Sequence, residues 1–163
     1  LIVMMRDPVD RAYSHFWHEK RYQNEWLGDF EEAVALEHER TSQEEEKLIR
    51  NEITHSQPFR SFGYIARGLY YKQISRWLQY FPLNQIHFIK SELFFRNPEK
   101  DLTELFRFLR ISTIIPENLT PQNTNEYPEM PSEIRKKILG YFSEDQEKLA
   151  ALLGQPFQWN LNL

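Results

Sequence analysis

Two residues near the start of the chain, Arg6 and Ser14, have types and a placement that point at a candidate ligand site. A guanidinium is permanently charged and a hydroxyl offers a directional hydrogen bond, so the pair could contribute to a polar site. Arg and Ser are mostly exposed residue types, so type alone does not separate a ligand from ordinary surface. The order of residues around them does. Other chemistries fare less well. His15 and His18 stand three apart and could share a metal ion, but no third ligand follows at a telling spacing, so no metal site is assigned. Ser14 beside His15 invites a hydrolase reading, yet there is no nucleophile elbow and no placed acid. The five glycines, Gly28, Gly63, Gly68, Gly140 and Gly154, are scattered, so the chain holds no glycine-rich phosphate loop and no complete P-loop enzyme.

The elements that position Arg6 and Ser14 are legible in Leu1 to Arg21. Leu1 to Met5 is an unbroken apolar run, the pattern of a strand covered on both faces in a parallel sheet. Arg6 falls where that strand ends. Asp7 offers an N-cap carboxylate and Pro8 a fixed φ at the first helical position. Ala12, Tyr13, Phe16 and Trp17 then form one apolar stripe, which leaves Ser14, His18 and Arg21 on the other side. Ligands of open α/β sheets bind just outside the carboxyl ends of strands, which makes the Arg6 to Ser14 run a candidate site.

Composition narrows the classes. With 163 residues, 15% aromatic, the chain fits one domain, residues 1–163, with a substantial core. A net charge of −4 gives no global basic footprint, so no nucleic-acid partner is expected and any anion site must be local. The absence of cysteine excludes disulfides and thiolate chemistry. No run is long enough to span a bilayer. The chain opens inside a strand, and is expected to lack an N-terminal part.

Further along, nine carboxylates against the single Arg40 lie between Glu25 and Glu46, a solvated face to which no chemistry is assigned. Asp29 with Glu32 marks a helix start, and Ser42 with Glu45 another. His38 to Pro58, poor in apolar residues, is expected to be a mobile or lid-like insertion. Phe59 to Gly63 reads as a loop before a helix over Tyr64 to Tyr80, with Trp17 and Trp77 in the core. Gln85 to Lys90 reads as a second buried strand parallel to the first, and Asn97-Pro98 caps a helix with the stripe Leu102, Leu105, Phe106 and Leu109. Ser112 to Met130 is a loop. Two helices close the chain, the second starting at Ser143 with Gln146 as its capping-box partner and ending at Gly154.

Several of these runs, in this order, match one family. Arg6-Asp7-Pro8-Val9-Asp10-Arg11-Ala12-Tyr13-Ser14 comes first, then Tyr64-Ile65-Ala66-Arg67-Gly68-Leu69-Tyr70-Tyr71 continuing to Arg76-Trp77-Leu78 and Tyr80-Phe81-Pro82. Gln85 to Leu93, Asn97-Pro98 and Tyr127-Pro128-Glu129-Met130-Pro131 follow. The sequence resembles the sulfotransferases that use 3′-phosphoadenosine 5′-phosphosulfate, in particular the bacterial domain related to the heparan-sulfate sulfotransferases. The resemblance covers almost the whole chain.

It implies an α/β, P-loop-like three-layer fold with a small parallel sheet and many helices, N-terminally truncated. It also implies a transferase that moves a sulfuryl group from that co-substrate, without a metal, to a hydroxyl or amine of a small-molecule or carbohydrate acceptor. Arg6 and Ser14 would hold the donor's 3′-phosphate. Tyr64, Arg67 and Gly68 would approach the adenine or adjoining phosphate, although core packing competes for Tyr64. Thr124 and Asn125 stand where the heparan-sulfate branch has a basic loop, a departure that leaves neutral groups for phosphate. Arg11 reads as a structural ion-pair residue with Glu92 as partner. The family's 5′-phosphosulfate loop and base precede the stretch where this chain begins, so no catalytic residue is named and the piece alone is expected to be inactive. A cytoplasmic location is implied, or the Golgi lumen in a eukaryote. Two alternatives stay open: a non-catalytic interaction module on the same fold, and a P-loop kinase-like nucleotide-binding protein.

Overall fold

The computed structural model describes residues 1–120, 126–154 and 159. Its contacts divide the chain into two compact units, Leu1–Asp7 with Ile74–Pro128, and Pro8–Gln73 with Glu129–Leu163. The fold class is α/β: a small parallel sheet among many helices. Among the described residues no helix is long and apolar enough to cross a membrane.

The first unit contains the sheet. Strand β1 (Ile2–Met5) pairs in parallel with β2 (His87–Lys90), in the register Ile2 to His87 and Met5 to Lys90. The Leu1 carbonyl accepts the His87 amide at 2.9 Å, which extends the ladder by one residue. The expected strands are therefore present. Burial on both faces of β1 is not: Met5 is buried while Ile2 and Met4 are about half exposed. An apolar run specifies that a strand forms, but its cover depends on elements packed above and below, and among the described residues the sheet has only two strands. Helix α6 (Ser91–Arg96) starts directly after β2, and α7 (Pro98–Leu109) follows. Both pack against β2. Asn97 caps α7 as expected, its side chain accepting the Lys100 amide at 3.2 Å. Trp77 is half exposed rather than in the core, its ring resting on Phe81.

The second unit is helical. Helix α1 (Pro8–Arg21) buries Val9, Ala12, Tyr13 and Phe16, the expected stripe, while Trp17 is half-buried. Tyr13 and Phe16 meet Phe30 at 5.2 and 5.5 Å between ring centroids. Asp29 caps α2 (Phe30–Ala35) through the Glu32 amide, as the spacing predicts. Much of the segment expected to be mobile or lid-like is helical. Helix α3 (Glu37–Ile49) runs straight through Ser42, so no helix starts there, and α4 (Gln57–Phe62) packs against it. Carboxylates three and four residues from basic side chains sustain such a helix with few apolar residues, as Lys47 does with Glu44 at 2.8 Å.

The helix expected over Tyr64 to Tyr80 is shorter. Phe59 to Phe62 belongs to α4, Ala66–Gly68 is a single 3-10 turn, and α5 (Tyr70–Trp77) begins only after it. Helices α8 (Ser132–Gly140) and α9 (Ser143–Leu153) close the unit, and Gly154 ends α9 at φ +66°, in the left-handed region that glycine adopts without strain. Ser143 does not form the expected box. Its hydroxyl donates to the Leu139 carbonyl at 3.2 Å, because the residue lies one position inside the helix, after Phe142.

Candidate functional site

Arg6 immediately follows β1 and is half-buried. The next amide, that of Asp7, donates to the Glu92 carboxylate at 2.7 Å. Glu92, the partner anticipated for Arg11, is thus engaged at the end of β1. Ser14 lies two turns into α1 and is half-buried, outside the buried stripe, as its helical phase requires.

Tyr64, Arg67 and Gly68 are held in one short segment of the second unit, and each has a distinct environment. Tyr64 is fully buried; its hydroxyl donates to Glu25 Oε2 at 2.7 Å and its carbonyl accepts from the Arg11 guanidinium. The side chain is thus a core residue, and burial together with the Glu25 carboxylate pushes its phenol far above the ordinary value. Arg67 is exposed and donates to the Arg60 carbonyl at 3.0 Å. Gly68 is buried, and a Cβ there would lie 2.8 Å from Phe142 Cε1 and 3.3 Å from Pro8 Cβ. The segment therefore packs onto the first turn of α1 because residue 68 has no side chain. Thr124 and Asn125 lie outside the described residues.

The acidic stretch, to which the sequence assigns no chemistry, contributes two buried carboxylates, Glu25 and Glu37. Glu25, with its side chain fully buried, accepts Arg40 in a fork at 2.9 and 3.2 Å as well as Tyr64 and the Leu27 amide. Burial alone would raise its carboxyl; the bonds from Arg40, Tyr64 and Leu27 outweigh that and hold it below the ordinary value. Glu37 accepts the Ile65 amide at 2.6 Å and the Ala66 amide at 2.8 Å. A signal for Glu37 existed: Phe30, Ala33 and Val34 set an apolar stripe whose next position is residue 37, and Thr41, four further on, is also buried. A carboxylate in that phase points inward.

His15 and His18 share Glu19, whose carboxylate is 3.6 and 3.9 Å from their Nε2 atoms. Among the described residues no group of three His, Cys, Asp or Glu side chains is placed to hold a metal ion.

The sulfotransferase domain family matches residues 1–148, and the chain belongs to that family. A solved sulfotransferase from Alicyclobacillus acidocaldarius superposes with a TM-score of 0.71 at 31% identity, over 94% of this chain and 54% of that one. The membrane-associated sulfotransferase kil1 of Dictyostelium discoideum is 38% identical over 107 residues, which is 66% of this chain and 23% of that protein. A bifunctional heparan sulfate N-deacetylase/N-sulfotransferase 1 of Caenorhabditis briggsae is 25% identical over 94% of this chain and 19% of its own length. A mouse heparan sulfate glucosamine 3-O-sulfotransferase 3B1 is 23% identical over 98% of this chain and 43% of its own. The chain thus spans less than half the length of these curated relatives.

Proposed function

We propose that the protein is a sulfotransferase that uses 3′-phosphoadenosine 5′-phosphosulfate, and that this chain carries the half that recognises the donor's 3′-phosphate. Membership of the sulfotransferase domain family supports the reaction class. The observation that carries the donor assignment is the run from Arg6, at the end of β1, to Ser14, two turns into α1. The residues present fit a phosphate. A guanidinium supplies charge, a hydroxyl supplies direction, and the N-terminal end of a 14-residue helix supplies partial positive charge. When bound, the co-substrate supplies the sulfuryl group and a phosphate leaving group. Arg6 and Ser14 bind and orient the nucleotide, and the Tyr64 to Gly68 segment lies along its adenosine side, with Thr124 and Asn125 as further neutral phosphate ligands.

The acceptor in this reading is a hydroxyl or amine of a carbohydrate, supported by the relatives named for heparan sulfate. Calorimetric titration of the whole protein with 3′-phosphoadenosine 5′-phosphate and with ATP tests the donor. The 3′-phosphorylated nucleotide should bind and ATP should bind at least tenfold more weakly. Arg6→Ala should cost about 1.5 to 3 kcal/mol of that binding and Ser14→Ala about 1 kcal/mol. Equal affinity for ATP, or an Arg6→Ala variant that binds as wild type does, refutes the assignment.

A further inference from the structure

The Glu37 carboxylate occupies an unusual place. It is 6% exposed, in a helix otherwise rich in solvated acids, and removing a carboxylate from water is costly unless its oxygens are satisfied. Both oxygens are. Oε2 accepts the Ile65 amide and Oε1 the Ala66 amide, at 2.6 and 2.8 Å. These are consecutive N–H groups at the entry to the Ala66–Gly68 turn, whose N-cap residue, Ile65, provides no side-chain cap. A carboxylate 28 residues earlier takes the place of a local cap.

Two other anchors hold the same segment. The Arg11 guanidinium donates to the Tyr64 carbonyl, and Gly68 fits between Pro8 and Phe142. The turn is thereby fastened to the first two turns of α1, with Glu37 gripping its amides and Arg67 left exposed at its tip. We propose that Glu37 is a positioning residue for the nucleotide: by holding the Ile65 and Ala66 amides it fixes Arg67 and Gly68 in register with the N-terminal turns of α1. This inference rests on the donor reading given above.

Thr41 separates positioning from a general loss of stability. Its buried hydroxyl donates to the Glu37 carbonyl at 2.8 Å, on the same helix, without touching the carboxylate. Calorimetric titration of the whole protein with 3′-phosphoadenosine 5′-phosphate is the test, with urea unfolding of each variant alongside. Glu37→Gln, which replaces one accepting oxygen by an NH2 facing an amide, should bind at least tenfold more weakly. Glu37→Asp should recover part of that loss. Thr41→Val should lower stability and leave affinity within twofold of wild type. If Glu37→Gln does not fold, Glu37→Asp carries the test, with at least threefold weaker binding expected.

Affinity changed less than threefold by the Glu37 variants overturns the inference, as does a Thr41→Val loss as large as that of Glu37→Gln. Wild type that fails to bind the nucleotide overturns the donor reading, and the Glu37 inference with it. Wild type that binds, beside Glu37 variants that bind equally well, overturns the inference alone.

Discussion

The Tyr64 hydroxyl donates to Glu25 across 2.7 Å, joining residues 39 apart in sequence inside the helical unit. Arg40 closes the arrangement from α3: its guanidinium forks onto the same carboxylate, with its carbon Cζ 3.5 Å from the centre of the Phe62 ring. The pair ties the loop after α1 to the segment between α4 and α5, and both groups are satisfied in spite of burial. Such networks are costly to break halfway, because the partner left behind stays buried.

Tyr64→Phe keeps the ring and removes one donor from an ionised, buried acceptor. It should lower unfolding free energy by about 1.5 to 3 kcal/mol. Arg40→Met removes the counter-charge and should cost about 3 kcal/mol or more. Urea unfolding followed by circular dichroism measures both. A double variant whose loss equals the sum of the singles would show that the two bonds to Glu25 act independently, contrary to the network described.

Gly68→Ala introduces a methyl 2.8 Å from Phe142 Cε1 and 3.3 Å from Pro8 Cβ. Phe142 and Pro8 are both fully buried, so neither can move aside freely. The substitution should cost about 1 to 3 kcal/mol through overpacking. Phe142→Leu in the same chain frees the space of the ring edge, so the alanine should cost less in that background than in wild type. Thermal unfolding of the four chains of this cycle gives the coupling, and a coupling of zero would mean that the ring does not set the limit.

His15 is held to about 3, far below its ordinary value, by burial first and by the charges of Arg11, Arg67 and His18; the Arg60 carbonyl works in the other direction. Glu19, 3.6 Å away, is a carboxylate on its own helix, which also carries Asp10. The lowered value fixes the sign. Above about pH 6.5 neither folded nor unfolded chain is protonated at this residue, and below it the unfolded state takes up a proton that the folded state refuses. Stability due to this group therefore falls from about pH 6.5 down to about 3, by about 2 kcal/mol on reaching about pH 5. Comparing urea unfolding of wild type and His15→Phe at several pH values isolates the contribution. The wild-type curve should lose this amount relative to the variant on acidification, and parallel curves would contradict the assignment.

Much of the local structure was legible from Leu1 to Arg21, where an apolar run, a turn and an amphipathic repeat act over a few residues. The same holds for the caps at Asp29 and Asn97, whose side chains reach amides three residues on. Tertiary partners decided the rest. No local pattern reveals that Asp145 accepts the Tyr71 and Lys72 amides at 3.0 and 3.3 Å and so caps α5 from 74 residues away. The charge run from Glu25 to Glu46 reads as a solvated face, since carboxylates seldom lie inside. Two of its members do, because each meets a set of donors supplied by other elements.

The sequence by itself determined that a strand, a turn and a helix place Arg6 and Ser14 eight residues apart, since strand and helix signals act between near neighbours. The motif order along the chain also pointed to its family, because such order is a property of sequence alone. Only the tertiary structure decided that Tyr64 is sealed in the core, that Gly68 is small because Phe142 and Pro8 leave no room, and that Glu37 holds the turn between them. Those outcomes depend on which donors, rings and carbonyls meet across the fold, and sequence spacing carries no measure of such distances.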